Sequence, residues 1–342
     1  MNVPSLVSGS FEDDFFPFSL TRSLADIRCG ILTIREKWNY HLKDNHSFLS
    51  GISIPANIIP DQELVQSIQE LNAGFALGKA AMLLQLPDIL LYNLSEIKKD
   101  FDLITKGRLT AVISSTNKLI GSEIFLERGA VVEHSYLNAS EGPIYIGKDA
   151  LVMEGSMMRG PFALGERSVV KMGAKIYGAT SIGPGCVIGG EIKNSVIFGY
   201  SNKAHDGYLG DSIIGEWCNL GAGSTNSNMK NSGGSVKLWN PISKTSINAG
   251  LKCGLMMGDY SRSAINTSFN TGTVVGPASH VFGNGATPSY LPSFSWGYEH
   301  EVYDFEKAIL HISKWKKLKG HLLSDEEIRQ LKNIFDQQNK VS

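Results

Sequence analysis

A chain of 342 residues has room for two domains, and 42% hydrophobic with 19% charged residues suits a globular protein rather than a disordered one. The formal net charge of −1 supplies no global field to attract nucleic acid or an anionic membrane, so an anionic ligand must be held by local groups. Cys29, Cys186, Cys218 and Cys253 form no CxxC pair, which favours a reducing compartment, and Cys186 reads as a buried structural thiol. The start of the chain has no basic stretch followed by an apolar run, and no apolar stretch is long enough to span a bilayer. A cytoplasmic location is the expectation.

Residues 1–108 read as mixed α/β. Helical spacing predicts helices over Gly30–Trp38 and Glu63–Leu71, the second N-capped by Asp61 after Pro60; Leu64 rules out a full capping box. Ala80–Leu91 is so apolar that periodicity does not separate helix from strand. Phe101–Thr110 reads as a connector.

A different rhythm follows. From Ile146 an apolar residue recurs every sixth position through Val152, Met158, Leu164, Val170, Ile176, Ile182 and Ile188. Small residues sit two places before most of them, at Ala150, Ser156, Ser168, Ala174, Thr180 and Cys186. A period of six fits neither a helix face nor a half-buried strand. It fits a triangular coil in which each of three short walls turns one apolar residue inward, the signature of a parallel β-helix. The beat begins near Ile120, passes Leu126 and Val132, pauses at Ser140–Pro143 and shifts phase after Gly189-Gly190. It resumes through Val196, Tyr208, Ile214 and Leu220, then Met257, Phe269, Val275 and Val281. One coil cannot bury its apolar face alone, so stability accumulates by stacking. Many of the 36 glycines are expected at its tight corners. An Asn-, Ser- and Gly-rich insertion over about 224–250 is too long for a neutral connection and reads as functional or subunit-bridging.

From Tyr303 to Asn339 the pattern returns to helix. Ser324 and Glu327 form a capping box, and Ile328, Leu331 and Phe335 keep one apolar face. These helices are expected to cap the open end of the solenoid. The Lys314-Trp-Lys-Lys-Leu-Lys319 run reads as a solvated helix face rather than a nucleic-acid patch. The expected domains are 1–108, 109–300 and 301–342.

The chemistry-bearing residues cluster in Ser201–Asn231. His205 precedes Tyr208 by three residues inside a break in the beat, and Asn219 and Asn228 follow along the solenoid. Imidazole is the usual group for taking a proton from an amine or hydroxyl, while Tyr and Asn orient a substrate or stabilise an oxyanion. A His beside an Asp is, by itself, more often a structural pair; the surrounding cluster points to chemistry.

This stretch resembles the acetyltransferase domain of the bifunctional N-acetylglucosamine-1-phosphate uridyltransferase/glucosamine-1-phosphate acetyltransferase family, with its KAGH-x-x-YLGD and VNIGAGT-x-x-x-N segments. The matches are His205, Tyr208-Leu-Gly-Asp211, Asn219-Leu-Gly-Ala-Gly223 and Asn228. The resemblance implies a left-handed β-helix, with His205 as general base and Asn228 holding the reacting centre. It implies that Tyr208 and Asn219 contact the sugar and its phosphate, and that the Ala222 backbone approaches acetyl-CoA. Lys203 stands one place nearer the histidine than the family's lysine, and Lys237 matches a second family lysine loosely. Lys175 and Lys193 are the candidates for a phosphate clamp. No metal ligands are assigned.

The whole chain also resembles a subgroup of sugar nucleotidyltransferases with a β-helix, at Pro17–Arg22, Gly30–Trp38 and Gly199–Asp206. Active nucleotidyltransferases cradle phosphates on a glycine-rich loop. This chain has Leu6–Asp14 there instead, whose paired acids repel phosphate, although Arg22, Arg28, Arg35 and Lys37 remain to meet an anion. The expected fold is a truncated nucleotidyltransferase-like α/β N-terminal domain plus a left-handed parallel β-helix with C-terminal helices. The leading functional reading is acetyl transfer from acetyl-CoA to an amino sugar or its phosphate. One alternative is nucleotidyl transfer between a nucleoside triphosphate and a sugar 1-phosphate, requiring Mg²⁺; another is a non-catalytic sugar-nucleotide or CoA-binding scaffold. The expected partners are a small-molecule sugar phosphate and acyl-CoA, with no nucleic acid or membrane. A site of this kind lies between subunits, so a homotrimer is expected.

Overall fold

The computed structural model describes residues 5–7, 9, 11–42, 53–70, 81–299 and 301–341. Ser8, Ser10, Leu71 and Ala80, which fall within or end stretches read above, lie outside them.

The hexad beat builds a β-solenoid of three parallel faces. The first face is a nine-stranded parallel sheet from Ile124–Leu126 to Tyr290–Leu291. The second stacks Val131–Val132, Leu151–Val152, Val169–Val170, Val187–Ile188 and Asn202–Lys203, then continues through Asn219 to Arg262–Ser263 and His280–Val281. The third runs from Lys118–Ile120 through Glu191–Lys193 to Tyr208–Gly210. Every residue of the unbroken beat from Ile146 to Ile188 is buried in one continuous core. Like stacks on like, as in Val152 on Val170 on Ile188.

One corner of the coil, between the first and second faces, requires a left-handed backbone at each level. Glycine fills it at Gly185, but Asp149, Arg167, Tyr200, Trp217, Tyr260, Ala278 and Phe294 adopt it too, with φ of 54–63°. The corners are therefore less dependent on glycine than composition suggested. Packing holds these residues in place: Tyr200 stacks on Trp217 with ring centroids 4.4 Å apart.

The N-terminal region lies against the first face. Its aromatic and aliphatic core, including Phe15, Phe18, Trp38 and Ile89, continues into Val196, Phe198, Ile213 and Met256 of the solenoid. Helix α1 spans Ile34–His41 with Thr33 and Glu36 as a capping box, so Gly30–Leu32 form the preceding turn rather than helix. Helix α2 spans Gln62–Glu70, and Asp61 accepts from the Leu64 N–H at 2.8 Å, as expected of its cap. The Ala80–Leu91 stretch divides into a short strand, Ala81–Met82, and the start of helix α3, Asp88–Thr105. Phe101–Thr105 is thus the last part of that helix, not a connector. The insertion folds into an antiparallel hairpin, Lys237–Asn240 with Thr245–Asn248, whose Val236 and Leu238 join the N-terminal core. It bridges to the N-terminal region of its own chain.

Helices α4 (Phe305–Leu318) and α5 (Asp325–Val341) pack on the flank formed by Trp217, Tyr260, Ala278 and Phe294. They cover several coils sideways rather than closing the terminal coil alone. The Ser324–Glu327 capping box forms in both directions, at 2.8 and 3.2 Å. The lysine-rich run is solvated only in part: Lys314 and Lys317 are exposed, whereas Lys316 is buried against Glu327, and Lys319 donates to Asn202 Oδ1 at 2.9 Å and the Gly185 carbonyl at 2.8 Å. No helix among the described residues is long and apolar enough to cross a membrane. All four cysteines are free and buried.

Candidate active site

The beat slips before His205 rather than at it: Ile188, Ile192 and Ile197 face inward at steps of four and five, after which Lys203 and Leu209 restore the step of six, so Ile197 and Leu209 rather than Val196 and Tyr208 are the inward residues. Five positions separate Lys203 from Tyr208, as they separate Val152 from Met157 and Val170 from Lys175, whereas only three separate Ile188 from Glu191, where the Gly189-Gly190 corner is two residues short. His205 and Asp206 sit exposed on this full-length corner, stacked on the shortened Gly189-Gly190 corner. The His205 imidazole meets no hydrogen-bond or ion-pair partner among the described residues. The corner of the next coil, Gly221–Ser224, stacks on this one, with the Gly223 N–H donating to the Asp206 carbonyl at 3.1 Å. Ala222 therefore lies beside His205. Its carbonyl accepts from Asn266 at 2.7 Å, while its N–H has no acceptor among the described residues.

On the third face, one strand beyond His205, Tyr208 and Asn228 come together. Asn228 Nδ2 donates to the Tyr208 hydroxyl at 3.0 Å and also to the Asp211 carboxylate. Asp211 accepts in addition from Asn194 Nδ2 at 2.6 Å. Because the Tyr208 oxygen accepts from Asn228, its own proton is directed elsewhere and is free to meet a substrate oxygen. Burial, then the charges of Asp211 and Glu191, pushes the Tyr208 phenol up to about 12, so it stays a donor at neutral pH. Glu191, directly below Tyr208, accepts from the Tyr177 hydroxyl at 2.6 Å. Sequence reasoning assigned no role to Asp211 and Asn194; Asp211 was visible as the last residue of the YLGD run, whereas Asn194 carried no signal.

The other assigned residues go elsewhere. Asn219 lies on the second face, round the corner from Tyr208, paired with Asn202 at 3.4 Å. It lines a cleft beneath α4 rather than joining Tyr208 and Asn228. Lys203 takes an inward position, stacked on Ile188 and 3% exposed, its ammonium donating to the carbonyls of Gly189 (3.1 Å) and His205. It steadies the His205 corner from inside. Lys237 is exposed on the hairpin. Lys175 and Lys193 share the third face with Tyr208 but not one column: Lys175 stacks under Glu191, and Lys193 stands over Tyr177, its Nζ 5.8 Å from the ring centroid.

The N-terminal cations are committed to internal partners. Arg22 pairs with Asp259 and, at 3.4 Å, with Glu216; Arg28 donates to the Ile31 carbonyl and lies 3.7 Å from Glu36. Arg35 forms a two-pronged pair with Asp26 at 2.6 and 2.9 Å. Lys37, 1% exposed, is held between Glu96 at 2.9 Å and Asp100. None of the four is left to meet an anion. No group of three or more His, Cys, Asp or Glu side chains among the described residues is arranged to hold a metal ion.

Residues 6–52 match the family described as Sugar nucleotidyl transferase. The chain is 30% identical over 117 residues to the bifunctional protein GlmU of Methanocaldococcus jannaschii, covering 34% of this chain and 28% of that protein. It is 32% identical over 124 residues to that of Methanococcus maripaludis (36% and 28%), and 29% identical over 146 residues to that of Picosynechococcus (42% and 30%). The matched part thus spans less than a third of each relative. The chain is similar to sugar nucleotidyl transferases at its beginning and to GlmU proteins over about a third of its length, and it carries the solenoid that its hexads implied.

Proposed function

We propose that the chain is a transferase of amino-sugar nucleotide metabolism, and that its β-solenoid transfers an acetyl group from acetyl-CoA to the amine of an amino sugar or its phosphate. The similarity to GlmU proteins and to sugar nucleotidyl transferases supports the class. The observation that carries the specific reaction is the corner after Lys203: it sets an exposed imidazole beside the open N–H of Ala222, one strand from the Tyr208–Asn228–Asp211 network. The amine nitrogen attacks the thioester carbonyl, a C–N bond forms, and His205 takes the amine proton. The C–S bond then breaks and the thiolate receives that proton. In this reading the Ala222 N–H meets acetyl-CoA, and Tyr208 orients the sugar. On a single protomer this corner faces outward, which suits a seam between subunits of a homotrimer.

The test is acetyl transfer to a panel of amino sugars and their phosphates, followed by thiol release. His205→Ala is expected to lose about 10²- to 10⁴-fold in rate while melting with the wild type, since the side chain is exposed. Wild-type rates in the variant would refute the base assignment, and a monomer by light scattering would remove the seam.

The match of residues 6–52 favours a second reading, nucleotidyl transfer in the N-terminal region. It requires pyrophosphate release from a nucleoside triphosphate and a sugar 1-phosphate with Mg²⁺. Silence of the full chain against all common triphosphates would eliminate it.

A further inference from the structure

Beneath α4, on the second face, lies a cleft of about 500 Å³ lined by Asn219, Arg262, His280, Phe282, His311, Lys314 and Trp315, among others. None of its lining residues is acidic. Arg262 is only 8% exposed, yet its Nε and one terminal nitrogen have no hydrogen-bond partner among the described residues. Nε2 of His280, on the adjoining strand, is likewise buried and unpartnered.

A buried guanidinium without a carboxylate is expensive, and a structure keeps one where something else supplies the negative charge. Arg22, equally buried, shows the contrast: two carboxylates flank it. Around Arg262 the groups from every packed element are neutral or positive. Trp315 of α4 stacks 5.0 Å from the guanidinium carbon, and His311 and Lys314 of the same helix face the cleft. His280 stacks on Trp296 at 4.9 Å and meets the tilted Tyr303 ring at 4.8 Å. Burial, then the charges of Arg262 and His311, pulls the His280 imidazole down to about 4, so at neutral pH it can offer one N–H without adding charge.

We propose that this cleft binds the phosphate group of a small organic phosphate, with Arg262 as its principal donor, assisted by His280 Nε2 and Lys314. The fork geometry of guanidinium suits two phosphate oxygens. Phe282, Trp315 and Leu318 provide apolar surface for the body of the ligand. A phosphorylated sugar and the phosphate end of coenzyme A share this chemistry. The site stands whether or not His205 is the base of an acetyl transfer.

Titration calorimetry of the full chain with inorganic phosphate, glucosamine 1-phosphate and adenosine 3′,5′-bisphosphate tests it, alongside Arg262→Met. The wild type is expected to bind at least one organic phosphate more tightly than inorganic phosphate, and the preferred one identifies the source. Arg262→Met should weaken that binding by about 10- to 100-fold. The same variant should melt at or above the unliganded wild type, because an uncompensated buried cation has gone, and should lose the rise in Tm that the phosphate gives the wild type. If Arg262→Met melts lower, Arg262→Lys offers a folded comparison that keeps the charge without the fork. The proposal is overturned if the wild type binds none of the three, or if neither variant changes the affinity.

Discussion

Lys203 stands on Ile188 in the interior column of the solenoid, occupying an aliphatic position with an ammonium-bearing side chain. Burial pulls its pKa down to about 8, against a partial upward pull from Asp206. A lysine depressed in the folded state is destabilising while protonated, by about 3 kcal/mol for a shift of this size, and the penalty lifts as pH rises from the folded value towards 10.5. Lys203→Met is therefore predicted to melt at or above the wild type at pH 7, with the difference shrinking between pH 8 and 10.5. Because Lys203 also ties down the His205 carbonyl, the variant is predicted to lose about tenfold or more in transfer rate despite its stability. Melting curves against pH, paired with rates, check both parts; a variant that is less stable at every pH contradicts the first.

The inward role of Lys203 shows where the sequence ceased to be legible. The six-residue beat specified the solenoid because each inward position wants the same thing, an apolar side chain. Between Ile188 and Ile197 the coil shortens, so the beat changes phase and Lys203, which motif spacing placed among substrate contacts, falls on an inward position. Asn219, stacked on Asn202, belongs to the second face and so lies one wall away from Tyr208. Helix α3 was obscured for another reason: its buried stripe contains Asn93, Glu96 and Asp100 as well as Ile89, Ile97 and Phe101, so apolar periodicity is interrupted by polar residues whose partners are far along the chain. Thr33 and Glu36, by contrast, wrote a capping box into the sequence that would have fixed the start of α1.

The Tyr208–Asn228–Asp211 network makes a distinct prediction. Asn228→Ala removes the donor shared by the tyrosine and the carboxylate, leaving Asp211 with Asn194 as its remaining side-chain donor. Loss of one such bond costs about 1–2 kcal/mol of stability, whereas freeing the Tyr208 ring should cost about 10²-fold in rate. Tyr208→Phe keeps the ring and removes only the hydroxyl. If it retains full activity with an unchanged KM, Tyr208 does not contact substrate.

Arg22 joins the N-terminal region to the solenoid. Its guanidinium meets Asp259 and Glu216 and lies 4.8 Å from the Phe198 ring centroid; the neighbouring carboxylates raise its pKa against the opposing effect of burial. Arg22→Ala leaves two carboxylates facing each other in a partly dry site, with an expected cost of about 3–5 kcal/mol. Hydrogen exchange should show the loss first in residues 12–42, with the hexad core from Ile146 to Ile188 still protected. Uniform loss across both regions would show that the two unfold as one unit.

Lys37 offers the sharpest test of the buried charges. It is clamped between Glu96 and Asp100, while Asp100 also accepts the N–H groups of Ile31 and Leu32 at 2.8 and 3.0 Å. Burial pushes the Asp100 carboxyl up to about 6 even with the lysine charge beside it. Lys37→Met removes the opposing cation, so that carboxyl should rise further, and at pH 7.5 the variant should lose about 3–5 kcal/mol. A carboxyl raised in the folded state binds its proton more tightly there than in the unfolded chain. Stability is therefore highest below the unfolded value and falls as pH climbs through the folded one. Lys37→Met is predicted to recover part of its loss as pH is lowered from 7.5 towards 5, over a window in which the wild type changes less. Denaturant titrations at half-unit steps would read this directly. A deficit independent of pH would mean that lost packing of the lysine stem, rather than an orphaned carboxylate, accounts for the destabilisation.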